Sequence, residues 1–292
     1  MSSNPRTDIL PVLALLATAF FWGLLWYPMR WLEAHGVPGL WGTGILFASA
    51  LTVGSPMLWR YRAQLTARPA LLLGLMLANG WCNTAFILAV LDGQVVRVLL
   101  LFYLSPIWAV LLARLLLGER MPSQAWLTLV LAMGGALIIL WQPSLGVPWP
   151  QGHADWLAIS SGLGFAFSNV LVRMGQDLAI GVKVVTAWLG VTVLTGAMLL
   201  FGAGGEIEWS VTPLVVAVLL GMVGIVMMSV CLMYGVTRMP VHRSAVILLF
   251  EVMVGAVSAQ WLAHEALGVR EWLGGILILG AAWLASRQQL HE

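Results

Sequence analysis

Residues Gln94–Glu119 read QVVRVLLLFYLSPIWAVLLARLLLGE, an apolar run with an arginine in its first turn, a Ser-Pro break midway and a Gly-Glu stop. The same outline returns 146 residues later, in Pro240–Glu265, as PVHRSAVILLFEVMVGAVSAQWLAHE. At that offset Arg97 falls on Arg243, Ala113 on Ala259 and Glu119 on Glu265. Further on, Trp126 falls on Trp272, Leu127 on Leu273, Gly134 on Gly280 and Ala136 on Ala282. Identities at one constant offset, punctuating similar apolar runs, mark an internal repeat. Ser105 falls on Glu251, so the copies differ where a polar group sits in mid-run.

Composition sets the solvent. Of 292 residues 61% are hydrophobic and 9% charged, with a mean hydropathy of +0.94. So few charges cannot cover a water-soluble surface, and the chain reads as a polytopic membrane protein in a lipid bilayer. A net charge of +2 without a basic cluster excludes nucleic acid as a partner. Cys82 and Cys231 lie in apolar runs and do not correspond at the repeat offset, so they read as packing residues. No metal-ligand spacing and no cofactor motif is present, so neither is expected. The stretch Leu13–Ala19, LALLATA, has the look of a short signal sequence. The apolar run continues through Trp26, however, and the repeat needs this segment as the counterpart of Asp155–Arg173, so a retained first span is expected.

Ten helical spans are expected: Ile9–Met29, Leu40–Trp59, Ala70–Leu91, Val95–Leu117, Ala125–Trp141, Trp156–Met174, Val184–Phe201, Pro213–Val236, Ala245–Ala263 and Trp272–Ser286. The Pro- and Gly-rich connection Gln142–Asp155 divides them into two five-helix units, residues 1–147 and 148–292. Connections on the N-terminal side hold Arg6, Arg60, Arg62, Arg68, Arg114, Arg120, Arg173, Lys183, Arg238, Arg243 and Arg287, 11 cations in all. The other side holds only Arg30, Arg97 and Arg270. The positive-inside rule therefore puts both termini in the cytoplasm. An odd number of spans per unit makes the repeat inverted, an arrangement that serves alternating-access transport.

Three stretches carry a family resemblance: WGLLWYPMR at Trp22–Arg30, LLFYLSPIWAVLLARLLLGE at Leu100–Glu119 and LLFEVMVGAVSAQWLAHE at Leu248–Glu265. They resemble the EamA-type drug/metabolite transporter superfamily over nearly the whole chain. Trp22-Gly23 and Arg30 echo as Phe165-Ala166 and Arg173, as that family's two halves would. The resemblance implies an all-α membrane protein of ten helices around a central cavity, in a bacterial inner membrane. It also implies export of amino acids or other small metabolites and drugs, without a cofactor. By the same resemblance Tyr103 and Ser105 face the cavity, and Trp22, Trp26 and Trp81 are cavity candidates by family position.

Polar groups inside apolar runs are the remaining site candidates. Glu251 is the carboxylate set deepest in a span, and an intramembrane carboxylate needs a cation, a proton or water. Proton relay and counter-charge to a substrate ammonium are its functional roles; a structural hydrogen bond is the plain one. Arg97 and Arg243 open the fourth and ninth spans at opposite faces. Snorkelling to the interface accounts for either alone, and their equivalence in the repeat suggests a gate at each mouth. Pro106 cannot donate to the Phe102 carbonyl, which frees an acceptor at the break beside Ser105. Trp108 joins the site on helical position. Asn79 and Asn83 share one face of the third span, with Asn169 in the sixth, and each serves equally well for interhelical bonding or substrate contact. The small-residue ridges Ala132/Ala136 and Ala281/Ala285 suit a scaffold or a homodimer face. Two rivals stand beside metabolite export: efflux of lipophilic or quaternary cations, and, distantly, an intramembrane enzyme. No HExxH, GxSxG or His/Cys/Asp cluster supports the last.

Overall fold

The computed structural model describes residues 5–93, 95–119, 121–141, 150–262 and 268–287. Gln94, Arg120, Ala263, Glu265 and residues 142–149 of the central connection lie outside that set, as do the side chains of Arg6 and Arg287. Every regular element among the described residues is helical, because a chain in hydrocarbon must satisfy its own backbone groups.

The first three spans are α1 (Pro5–Ala34), α2 (Gly39–Arg60) and α4 (Pro69–Asp92), with a short interfacial α3 (Arg62–Ala67) between the last two. The fourth is broken into α5 (Val95–Phe102) and α6 (Ser105–Leu116). Unbroken α7 (Ser123–Leu140), α8 (His153–Met174) and α9 (Ile180–Leu200) follow. The eighth comprises α10 (Val211–Leu219), a π-helical turn (Leu220–Ile225) and α11 (Val226–Arg238). The ninth is again broken, into α12 (Val241–Leu248) and α13 (Phe250–Leu262), and α14 (Val269–Arg287) ends the bundle. Among the described residues nine helical stretches are long and apolar enough to cross a membrane, and Trp272–Ala285 adds a shorter apolar one. The protein is a multi-pass membrane protein.

The ninth span starts at Val241, not at Ala245 as its charge pattern suggested. His242 and Arg243 are buried within the bundle, and Arg243 Nε donates to the Ala285 carbonyl at 2.8 Å. Lys183, counted above as a loop cation, is fully buried in the first turn of α9. It donates to the Gly175 carbonyl at 3.1 Å and to the Thr237 hydroxyl, capping the end of α8 with positive charge.

Packing follows a regular scheme. The third span lies on the sixth, and the eighth on the first; the third on the seventh, and the eighth on the second. The fourth lies on the sixth, and the ninth on the first; the second meets the seventh, and the fifth meets the tenth. Moving every span by five returns the same set. Each of these contacts joins a helix before the central connection to one after it, so the two halves interleave.

Glycines set how closely the helices cross. A Cβ on Gly190 of α9 would stand 1.9 Å from the Met76 carbonyl oxygen of α4, and one on Gly80 would stand 2.7 Å from the Gly190 carbonyl. Backbone meets backbone there, so no side chain can yield. Gly190→Ala is therefore expected to cost roughly 1–3 kcal/mol, read as a lower melting temperature of the monodisperse protein in detergent. A melt matching the parent would mean that the crossing is loose. Gly135 and Gly274 make the same approach between α7 and α14, each with a Cβ position 2.6 Å from the other's carbonyl. Ala132, Ala136, Ala281 and Ala285 are buried within the chain. These ridges are scaffold; they are spent inside the chain and are not a dimer face.

Candidate functional site

Both breaks arise from a tightening of the backbone. In the fourth span Leu104 N–H donates to Leu101 and Ile107 N–H to Leu104, three residues back, on either side of proline's missing donor. In the ninth, Leu249 N–H donates to Val246 at 3.2 Å and Val252 N–H to Leu249 at 3.1 Å. The second copy thus breaks at the equivalent place without a proline, although only the Ser-Pro of the first copy announced a break. Neighbouring helices supply the reason. Gly162 of α8 sits on the Phe102 carbonyl, where a Cβ would be 2.6 Å from the oxygen. Gly23 of α1 sits on the Glu251 carbonyl, where a Cβ would be 2.8 Å away. The Phe102 oxygen that Pro106 releases is consequently covered by α8, which corrects its expected role as an open acceptor for a ligand.

Between the two breaks lies a small chamber. Phe102, Tyr103, Ser105, Pro106 and Ala109 line it from the fourth span, and Ala245, Leu248, Leu249 and Glu251 from the ninth. Phe165 and Asn169 of α8 close the third side. Tyr103 and Glu251 line the chamber from opposite broken helices. Ser105 and Asn169 are buried, 4% and 3% exposed, so their polar groups serve the interior. The rings of Phe102 and Phe165 stand 5.7 Å apart, and Trp22 backs Phe165 at 5.7 Å. Its cavity volume is about 10 Å³, room for about one water. In this conformation the chamber is too small for a solute larger than water.

Glu251, Tyr103, Ser105, Asn169 and Pro106 therefore meet at one place, and the other candidates do not join them. Asn79 donates to the Ser168 hydroxyl at 2.6 Å, tying α4 to α8 outside the chamber, and Asn83 donates to the Asn79 carbonyl one turn back in its own helix at 3.0 Å. Only the Asn79 bond is interhelical. Trp108 flanks the lining face and packs with Ala166, Val170, Val241 and Ala245 in an apolar layer beside it. Trp26 donates to Ser258 at 2.9 Å, and Trp81 to Ser160 near the surface at 3.2 Å.

Neither gate candidate snorkels. Arg97 is 7% exposed and Arg243 3%. Arg97 Nε stands 2.9 Å from both carboxylate oxygens of Asp155, and its terminal nitrogen 2.9 Å from one of them. Asp155 also accepts the Gln151 N–H at 2.8 Å. This pair joins the opening turns of the fourth and sixth spans. Asp155 gives little signal in the sequence, because it reads as the end of a polar connection. The usable signal was an acid just inside an apolar run, at the end of the bundle where Arg97 also begins a span.

The sequence profile of a family described as "EamA-like transporter family" matches residues 9–141 and again residues 153–287. The chain is 29% identical to "Uncharacterized transporter PA0485" of Pseudomonas aeruginosa over 163 residues, 54% of this chain and 51% of that protein. It is 29% identical to "Protein RarD" of Salmonella typhimurium over 205 residues, 65% of this chain and 64% of that one. The matches thus span between half and two thirds of these relatives' lengths. A solved crystal structure aligns over 98% of this chain and 99% of its own, with a TM-score of 0.79 and 18% identity, a likeness of fold.

Proposed function

Because the chain belongs to the EamA-like transporter family, we propose that it exports small metabolites, foremost amino acids or related zwitterions, across a bacterial inner membrane by alternating access. The observation that carries this reading is the meeting of Glu251, Tyr103, Ser105 and Asn169 in one chamber between two broken helices. Broken helices at the middle of a bundle are where transporters hold their cargo. Glu251 answers an ammonium, the hydroxyl of Ser105 and the amide of Asn169 answer a carboxylate, and Phe102 and Phe165 answer an apolar side chain. No arginine is among the described lining residues, so dianions are disfavoured. A chamber with room for about one water must enlarge before it can hold an amino acid, and opening to one face at a time satisfies that need.

Two inverted five-helix repeats, residues 1–147 and 148–292, agree with the packing scheme that returns when every span is moved by five. The excess of Lys and Arg puts both termini in the cytoplasm, with Arg243 at the inner end and Arg97 at the outer. A second reading, efflux of lipophilic or quaternary cations, is favoured by the aromatic walls beside Glu251.

Displacement of a labelled amino acid from proteoliposomes separates the two. The competitors are the amino acid, its deaminated acid and its decarboxylated amine. The parent should compete best, and the deaminated acid should lose about tenfold or more, because Glu251 is then left without its ammonium partner. Equal competition by the deaminated acid would mean that Glu251 does not read the substrate. Competition by the amine alone would make cation efflux the better account.

A further inference from the structure

The Gly-Glu stop of the fourth span does more than end a helix. Gly118 adopts φ = 68°, a left-handed turn that glycine takes without strain. Leu117 N–H and Glu119 N–H both return to the Ala113 carbonyl, at 2.9 and 3.3 Å, so the chain folds back over its own end. Glu119 is thereby aimed into the bundle. One carboxylate oxygen accepts from Arg173 Nε of the sixth span at 3.4 Å. The other accepts the N–H of Val241, the first residue of the ninth span, at 3.0 Å. Arg173 in turn donates to the Thr237 carbonyl, at the end of the eighth span, at 2.8 Å. The pair is only 23% and 20% exposed, so water competes weakly for it.

These bonds divide into two kinds. The ion pair lies between the fourth and sixth spans, which pack along their length and are joined again at the far end by Arg97 and Asp155. The bonds to Val241 and Thr237 instead tie that helix pair to the corner between the eighth and ninth spans. Between this network and the chamber lies the apolar layer of Trp108, Ala113, Val170 and Val241. Opening the chamber at this end must part the layer, and the two outward bonds span the parting, beside the bridge that Lys183 makes between the Gly175 carbonyl and the Thr237 hydroxyl.

We infer that Glu119 and Arg173 form the latch of the cytoplasmic mouth: an ion pair that stays whole while its bonds to the Val241 amide and the Thr237 carbonyl break and remake at each opening. This rests on the alternating-access reading above. The repeat marked Glu119 as punctuation; the latch makes it a positioning residue that sets the balance between closed and inward-open forms.

The test uses the full-length protein in vesicles of either orientation, with both native cysteines replaced by alanine and Ala245→Cys placed in the chamber wall. A membrane-impermeant trimethylammonium methanethiosulfonate reports access from one face at a time. Glu119→Ala should raise the labelling rate from the cytoplasmic face about tenfold, the scale of one hydrogen bond to a charged group, and leave the other face unchanged. Glu119→Gln keeps an acceptor for the Val241 amide and should give a smaller rise on the same face. It also serves as the test should the alanine variant fail to fold. Unchanged rates, or an equal rise from both faces as in a loosened bundle, overturn the latch. If the Ala245→Cys thiol reacts from both faces at rates that Glu119→Ala does not alter, only the latch falls. If it reacts from neither face in any variant, alternating access through this chamber falls with it.

Discussion

Asp155→Ala should destabilise this protein by roughly 3–5 kcal/mol, the largest loss expected of a single substitution outside the chamber. The carboxylate it removes accepts three 2.9 Å contacts from Arg97 and a fourth bond from the Gln151 amide. Both partners are nearly buried, at 7% and 5% exposure. An arginine deprived of its carboxylate in a low-dielectric interior keeps its charge, so the desolvation already incurred is no longer offset. Replacing both partners together should undo most of the damage, since neither charge is then left behind. Arg97→Met with Asp155→Leu is therefore expected to melt close to the parent in the same detergent, while either single change melts far below it. A single variant that melts with the parent would mean that the pair contributes nothing. The double variant also separates the two roles open to Arg97. If its chamber is labelled faster from the outer face, the pair is a gate; if access is unchanged, it is a staple between the fourth and sixth spans.

Glu251→Gln should leave the bundle folded and abundant but weaken an ammonium-bearing substrate by about 10- to 100-fold, the scale of a charge-assisted hydrogen bond. Glutamine matches the shape of the side chain, so packing around the second break is retained. What it lacks is the negative charge, and no other carboxylate is among the described lining residues. Proton exchange at this position also ceases, so any pH dependence of transport that originates here should flatten between about pH 5 and pH 8. Counterflow of the labelled amino acid, measured across that range for both forms, reads both effects. Equal transport by the two forms at every pH would return Glu251 to a structural role.

The site candidates divided according to how local their signal was. Glu251, Tyr103 and Ser105 could be picked out because a polar group in an apolar run is costly wherever the run folds, and the structure brings all three to one chamber. Asn79 and Asn83 carried the same local signal, yet they bond across to Ser168 and along their own helix. Nothing in the third span reveals that Ser168 stands opposite. Arg97 was visible as a cation at a span's start, but its partner lies 58 residues away in the chain.

Membrane residence, helical class and the positions of most spans follow from the sequence by itself, because each depends on the chemistry of a continuous segment. Apolar length decides what crosses hydrocarbon, and proline decides where one helix must lose a bond. The break in the ninth span has no such mark. It forms where Leu249 shifts to a tighter hydrogen bond and Gly23 of another helix brings its backbone onto the Glu251 carbonyl. The covering of the Phe102 oxygen by Gly162, and the turning of Glu119 onto Arg173 and Val241, likewise depend on which helix arrives opposite. Lipid is as apolar as leucine and does not drive one helix toward another, so these meetings are decided by close packing and by pairing of the few polar groups. Such terms exist only once the helices are side by side, and tertiary structure alone decides them.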